Sequence, residues 1–262
     1  MLLMTDLTVI NAVILGLVQG FTEWLPISSS GHLVIAQALL GISVPPAFDV
    51  VIMFGTIAAL LLYFRETLCR LASGIVSGEP VARRYLVFIV IAGIGTAVLG
   101  FLGKSFFTGL FVQPFIVSLL LVVTGIFLFI ASKVRVPEGE LTAKNALVIG
   151  LAQGIAVAPG ISRSGSTIGA ALLFGIKPRE AAEFSFIIGI PAMMVASVWM
   201  LLEEPAGTIS VFPLCAAIVS AFLAGYASIG ILMRVLQERR LDMFAWYCLV
   251  AGLFFAALTF KP

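Results

Sequence analysis

The chain has 262 residues, of which 61% are hydrophobic and 11% charged, with a mean hydropathy of +1.18 and a formal net charge of +2. This composition lies outside the range of water-soluble domains and identifies an integral membrane protein. The net charge is uninformative by itself, though its distribution is not, and no nucleic-acid partner is expected.

The stretch from Leu2 to Leu17 lacks a basic region and a small-residue cleavage site, so it is not read as a removable signal peptide. Two apolar pieces, about 8–24 and 32–42, are separated by a break rich in Pro, Ser and Gly. The second has about ten residues, too few at ~1.5 Å rise each to cross ~30 Å of hydrocarbon. The pair is therefore expected to form a re-entrant helical hairpin. Spans of bilayer length are expected near 44–64, 83–103 and 112–132. A second broken pair follows, about 145–158 and 166–175, and then spans near 179–201, 209–233 and 243–260. The predicted fold class is an all-α polytopic membrane protein with six transmembrane helices and two re-entrant hairpins, about ten helices in one membrane domain, 1–262. Cys69, Cys215 and Cys248 have no metal-type or redox-type spacing and read as small apolar residues.

Residues 16–31, GLVQGFTEWLPISSSG, and residues 150–165, GLAQGIAVAPGISRSG, align without a gap and agree at half of their positions. This duplication divides the chain into repeats of about 8–132 and 145–260. Lys and Arg accumulate in loops on the cytoplasmic side. If both broken pairs are re-entrant, Arg65, Arg70, Arg83 and Arg84 fall on one face. They are joined there by Lys133, Arg135, Lys144, Lys177, Arg179, Arg234, Arg239 and Arg240. Of the 15 basic residues only Lys104, Lys261 and the intramembrane Arg163 are left out. Three spans per repeat is odd, so the second copy enters from the opposite face, an inverted-topology repeat whose hairpin tips meet near the midplane. Irregular backbone at that depth requires a protein or water-lined polar site.

The two copies differ at their chemical residues. Glu23 stands opposite Val157, Pro26 opposite Gly160, Ser29 opposite Arg163 and His32 opposite Ser166. Each tip is a Ser/Gly turn entering a short helix: Ser28, Ser29, Ser30 and Gly31 in one, Ser162, Arg163, Ser164, Gly165, Ser166 and Thr167 in the other. Free amides and a partial positive charge at such starts attract anions, and Arg163 adds a forked cation suited to phosphate. Helix capping by serine is the alternative for each hydroxyl taken singly. His32, the one histidine, follows Ser29 by three residues and so shares a helical face with it. A satisfied core histidine is the plainer reading in isolation, but Glu23 in an apolar segment marks the region as functional. Gln19 lies one turn before Glu23, and its match to Gln153 leaves structural hydrogen bonding open for it. Asp49 and Glu183 open the spans after each hairpin and read either as helix-dipole partners or, for Asp49, as a second acid or metal ligand. Trp24 reads as a packing residue, and Glu203 and Glu204 as an exposed outer loop.

Two motifs carry a family resemblance: Gln19, Glu23, Pro26 and Ser28-Ser29-Ser30-Gly31-His32, then Pro159, Gly160, Ser162, Arg163, Ser164 and Thr167. Together they closely resemble the undecaprenyl-diphosphate phosphatase family of the bacitracin-resistance type, over essentially the whole chain. The resemblance implies a plasma-membrane hydrolase that converts a polyprenyl diphosphate to the monophosphate and inorganic phosphate, recycling the carrier for cell-envelope glycans and conferring bacitracin tolerance. It also implies a site and amino terminus toward the outer face, and a divalent cation, Mg or Ca. The lipid and the bilayer are the expected partners, with a homo-oligomer compatible. Gln19 stands where Glu is more common, a departure within the family's tolerance that argues against an essential acid-base role there.

The expected catalytic residues are Glu23, Ser29, His32 and Arg163. Substrate binding is assigned to Gln19, Ser28, Ser30, Gly31, Ser162, Ser164 and Thr167, and a cation to Glu23 and Asp49. Ser29 is the candidate nucleophile with His32 or Glu23 as base; in the competing route water attacks and His32 protonates the leaving group. A diphosphate of about −2 to −3 exceeds the roughly +2 of Arg163 and two helix starts, which is the place for a metal. The runner-up is a transporter or flippase for a polyprenyl phosphate or another anion, since broken helices at the midplane also serve transport. The concentration of Glu23, Ser29 and His32 in one copy favours a reaction centre. Phosphohistidine chemistry using two histidines fails on the single His32.

Overall fold

The computed structural model describes residues 7–134, 136–203 and 210–260; Arg135, Glu204 and Lys261 lie outside the described residues. Among these there are twelve α-helices and no strand. They are α1 (Val9–Trp24), α2 (Ser29–Leu40), α3 (Pro46–Tyr63), α4 (Arg65–Ser77), α5 (Pro80–Leu102) and α6 (Lys104–Leu110), then α7 (Pro114–Lys133), α8 (Ala143–Ile155), α9 (Arg163–Leu173), α10 (Pro178–Glu203), α11 (Val211–Gln237) and α12 (Asp242–Thr259). The six helices long and apolar enough to cross a membrane are α3, α5, α7, α10, α11 and α12, at the places expected from the sequence. Proline opens α3, α5 and α7, where its missing N–H costs nothing and its fixed φ suits the first turn.

Two differences from the sequence expectation have local causes. The helices α4 and α6 occupy stretches expected to be loops. In α4, Arg65, Arg70 and exposed neighbours leave only Gly74 buried, so no apolar run announces the helix. The second helices of the hairpins start at Ser29 and Arg163, three residues earlier than expected, because Ser28 and Ser162 are their N-caps and the Ser/Gly run after each is already helical.

The glycines repeated in the two copies explain how the hairpins are seated. On α1, Gly16 and Gly20 face α11 so closely that a Cβ would run into the backbone oxygens of Ala217 and Ala221. On α8, the matching Gly150 and Gly154 face α5, against Ala92 and Thr96. Small residues four apart let helices approach to backbone contact, and polar groups then bridge them. Ser228 Oγ donates to Gly20 O at 3.0 Å, and in the other repeat Thr96 Oγ1 donates to Gly150 O at 3.0 Å. Each hairpin therefore packs on the second span of the opposite repeat, while the third spans, α7 and α12, pack on each other. Trp24, Phe64, Phe184 and Phe186 fill the core beside these contacts, with the Trp24 and Phe186 rings edge to face at 5.2 Å.

The basic loops converge at one end. Arg84 reaches Glu140 at 4.0 Å and the carbonyl of Leu141 at 3.5 Å. Gly139 N–H donates to Gly175 O at 3.0 Å beside the Lys177–Glu138 pair, and Lys133 meets Asp242 at 3.6 Å. The segments after the first, third and fifth spans and the exit of the second hairpin thus share an end of the molecule.

Candidate active site

The two hairpin tips touch. Ser28, at a positive φ of 68°, caps α2 by accepting from Gly31 N–H at 3.4 Å, and the same oxygen accepts from Gly160 N–H at 3.1 Å. Ser164 Oγ returns the connection by donating to Leu25 O at 3.1 Å. Gly31 fits because a Cβ there would come within 3.3 Å of the Gly160 Cα. The second tip is braced by Thr124 of α7, which donates to Gly160 O at 2.9 Å and accepts from Ser162 N–H at 3.1 Å. Thr167 and Ser185 share a hydroxyl contact of 2.5 Å behind it.

Between the tips lies the carboxylate of Glu23, buried on the last turn of α1. Its Oε2 accepts from Gln19 Nε2 at 3.1 Å and from Ser29 Oγ at 2.5 Å. Its Oε1 accepts from Arg163 Nη2 at 2.7 Å. The Arg163 guanidinium is stacked over the Trp24 ring at 4.9 Å, and Nη2 also lies 3.1 Å from Met193 Sδ. Gly189 of α10 leaves it room, since any Cβ there would strike Nη1. Arg163 Nε and Nη1 are buried without a hydrogen-bond partner. A guanidinium has donors only, so these nitrogens hold buried N–H hydrogens in need of an acceptor, while Nη2 carries the Glu23 contact.

His32 stands on the first turn of α2 but does not bond to Ser29 or Glu23. Its Nδ1 is 2.8 Å from the Ser28 carbonyl oxygen and its Nε2 is 2.7 Å from Tyr247 Oη. Of the two bases open to Ser29 on sequence grounds, Glu23 is the one in contact with it.

The structure brings together Gln19, Glu23, Ser29 and Arg163, with His32 on the same helix turn as Ser29. Ser28 and Gly31 form the contact between tips, and Ser30 lies 3.5 Å from Ser28 through their hydroxyls. Ser162, Ser164 and Thr167 are buried and spent on capping and bracing: Ser162 Oγ accepts from Gly165 N–H at 3.1 Å, and Thr167 Oγ1 donates to Arg163 O at 2.8 Å. Asp49 is held elsewhere, with both oxygens accepting from Gln37 Nε2 at 3.2 and 3.1 Å. Gln153, the counterpart of Gln19, donates to Thr96 Oγ1 at 3.1 Å, a structural bond between helices.

Among the described residues no group of three or more His, Cys, Asp or Glu side chains is arranged to hold a metal. A protein-only cage is therefore absent there. Glu23 alone offers a carboxylate within the cluster, which fits the Mg²⁺ manner of binding through one carboxylate together with phosphate oxygens.

Sequence reasoning missed Thr124, Gly189, Met193 and Tyr247, and read Trp24 as packing alone. Only Trp24 had a signal, its position next to an intramembrane carboxylate. The others come from helices distant in the chain.

A family model described as "Bacitracin resistance protein BacA" matches residues 12–254. A protein of Syntrophotalea carbinolica named undecaprenyl-diphosphatase is 47% identical over 94% of this chain and 98% of its own length. Proteins of the same name from Methanosphaera stadtmanae and Korarchaeum cryptofilum are 35% and 37% identical, over 94% and 93% of this chain and 96% of each of theirs.

Proposed function

The chain belongs to the bacitracin resistance protein BacA family, and from that premise we propose that it is a membrane-embedded undecaprenyl-diphosphate phosphatase. It removes the terminal phosphate of the lipid diphosphate and returns the monophosphate carrier to cell-envelope glycan synthesis, which gives bacitracin tolerance. The observation that carries this reading is the Glu23 carboxylate, which holds a serine hydroxyl at 2.5 Å on one oxygen and the Arg163 guanidinium at 2.7 Å on the other. Supporting it, the exposed apolar face of α12 that carries Trp246, Val250 and Phe254 adjoins His32 through Tyr247 and Phe255, a surface suited to a prenyl chain.

Chemistry follows from those contacts. The terminal phosphoryl group docks against the Arg163 guanidinium, which supplies positive charge where the equatorial oxygens need it. Ser29 Oγ attacks the terminal phosphorus as its proton passes to Glu23 Oε2. The anhydride P–O bond breaks, its electron pair leaves with the prenyl monophosphate, and protonated His32 donates a proton to that oxygen. Water then attacks the phosphoserine, giving its proton to neutral His32, while Glu23 returns a proton to Ser29 Oγ. A divalent cation bound by Glu23 and the phosphates would supply further charge neutralisation.

The protein lies in the plasma membrane as one domain of two inverted repeats. Its basic end is cytoplasmic, and the site opens toward the outer face. Support comes from the shared end of the basic loops and from the exchange of hairpin partners between repeats. No observation favours transport over hydrolysis.

The test is phosphate release from a polyprenyl diphosphate by purified protein, with label in the terminal phosphate to trap a serine ester. Release by the wild type, its loss in Ser29→Ala and label on Ser29 are expected. Full activity in Ser29→Ala would remove the serine route in favour of direct water attack. Retained lipid binding without phosphate release would turn the reading toward transport.

A further inference from the structure

His32 is the single histidine of the chain, and both of its ring nitrogens are engaged. The Ser28 carbonyl can only accept, so Nδ1 carries a hydrogen and donates it. In the neutral ring the lone pair is then on Nε2, and the Tyr247 phenol donates to it at 2.7 Å. The two ends of this chain of bonds are held differently. Ser28 is fixed by its positive φ and by the amides of Gly31 and Gly160 on its hydroxyl. Tyr247 belongs to α12, which packs on α7 where Gly125 and Gly252 allow close approach.

The rings reinforce the bond. Tyr247 lies nearly parallel to the imidazole, at 15° and 5.6 Å between centroids, and Phe255 stands edge-on at 6.5 Å. Tyr247 is itself 43% exposed on the apolar face of α12, beside Trp246 and Phe254. At such a position packing asks for an aromatic ring but not for a hydroxyl, and a phenol in an apolar setting needs a partner. His32 is that partner.

We propose that Tyr247 is a positioning residue for the phosphoryl-transfer step: its hydroxyl aims His32 in the resting site and gives up Nε2, the ring nitrogen not committed to the backbone, to the substrate oxygen at the moment of proton exchange. Between proton transfers the bond can re-form in either protonation state. When Nε2 gains a proton it becomes a donor, and the phenol oxygen turns to accept. The imidazole therefore keeps its orientation while its charge changes between the two halves of the reaction. This role rests on the hydrolase reading above.

The single histidine makes the test direct. Protein labelled with ¹⁵N-histidine gives one imidazole, expected to show hydrogen on Nδ1 and an acceptor Nε2. In Tyr247→Phe the Nε2 resonance should move toward that of an unbonded nitrogen, with Nδ1 little changed. In phosphate-release assays Tyr247→Phe should lower kcat about tenfold with KM close to wild type, as for outer-shell partners of functional groups. The same substitution added to His32→Ala should cost nothing further, because residues acting as a unit are non-additive. Hydrogen on Nε2 in the wild type, unchanged kcat in Tyr247→Phe, or an equal loss on the His32→Ala background would each overturn the proposal. If the wild type releases no phosphate from a polyprenyl diphosphate, the hydrolase reading fails, while the spectrum still judges the Tyr247–His32 bond.

Discussion

Arg163 Nη2 and Glu23 Oε1 lie 2.7 Å apart, across an interval of 140 positions in the chain, with side-chain exposures of 14% and 7%. The pair closes the contact between hairpins with opposite charges, one from each repeat. In the proposed mechanism it also ties the group that would grip phosphate to the group that would accept the serine proton. On that reading a docking phosphate would compete with Glu23 for the guanidinium and loosen the carboxylate where it is needed as a base.

Glu23→Ala removes that base and leaves the guanidinium buried without its counter-charge. Breaking a buried pair from one side costs about 3–5 kcal/mol, and loss of a general base lowers the rate by about 10²–10⁴. Thermal unfolding in detergent and phosphate release should both fall. Glu23→Gln keeps the shape, so its activity should fall with a smaller drop in melting temperature; wild-type activity in Glu23→Gln would discard Glu23 as the base.

Ser28 is expected to matter for stability more than for binding. Ser28→Ala strips the acceptor from the Gly31 and Gly160 amides, costing about 1–3 kcal/mol for buried groups left unsatisfied. Ser28→Gly loses the same acceptor but relieves the positive φ, worth ~1 kcal/mol, and should melt higher than the alanine variant. A raised KM with an unchanged melting temperature would instead put the Ser28 hydroxyl on the substrate.

Gly189→Ala probes the seat of Arg163 without touching its charge. The added methyl would strike Nη1 at the far end of a flexible side chain, so the fold can yield while the guanidinium shifts. A misplacement of about 1 Å at a positioning group costs about 10²-fold. A large loss in kcat/KM with near-normal thermal unfolding is the expected pattern; an unaffected kcat/KM would show that Arg163 has no fixed place.

Metal removal should separate Glu23 from Asp49. EDTA treatment is expected to lower phosphate release and added Mg²⁺ to restore it. The Mg²⁺ needed should be unchanged in Asp49→Asn, because Asp49 is bonded to Gln37 and shares no partner with Glu23. Undiminished activity in a metal-free preparation would remove the cation from the reaction, and a raised Mg²⁺ requirement in Asp49→Asn would restore Asp49 as a ligand.

What could be read from the chain alone follows the range of each physical signal. The six spans and two hairpins were legible because length and hydropathy act locally, and hydrocarbon thickness sets one threshold for all of them. The amphipathic α4 escaped because its arginines cancel that signal. The repeated Gly16, Gly20, Gly150 and Gly154 stood out, yet their use was not evident: a glycine shows no sign of which backbone approaches it. The Ser29-to-His32 spacing suggested a shared face, but the Ser28 carbonyl captures Nδ1 and the ring turns to Tyr247, 215 positions away. The expected meeting of the two tips made Arg163 and Glu23 readable as members of one site but not as an ion pair; Thr124, Gly189 and Met193 enter from other helices with no pattern to announce them.

The exchange of packing partners between repeats also governs the order in which a ribosome can deliver a finished enzyme. The groove of Gly16 and Gly20 is among the first elements translated, yet the Ser228 hydroxyl that binds Gly20 follows 208 positions later. At ~5–20 residues per second that interval lasts ~10–40 s. Throughout it α1 holds Glu23 in the membrane before Arg163 and then α11 emerge to receive it. Biogenesis is thus a wait for the carboxyl-terminal helices, and a chain truncated before α11 would insert its first hairpin with no surface to lock against.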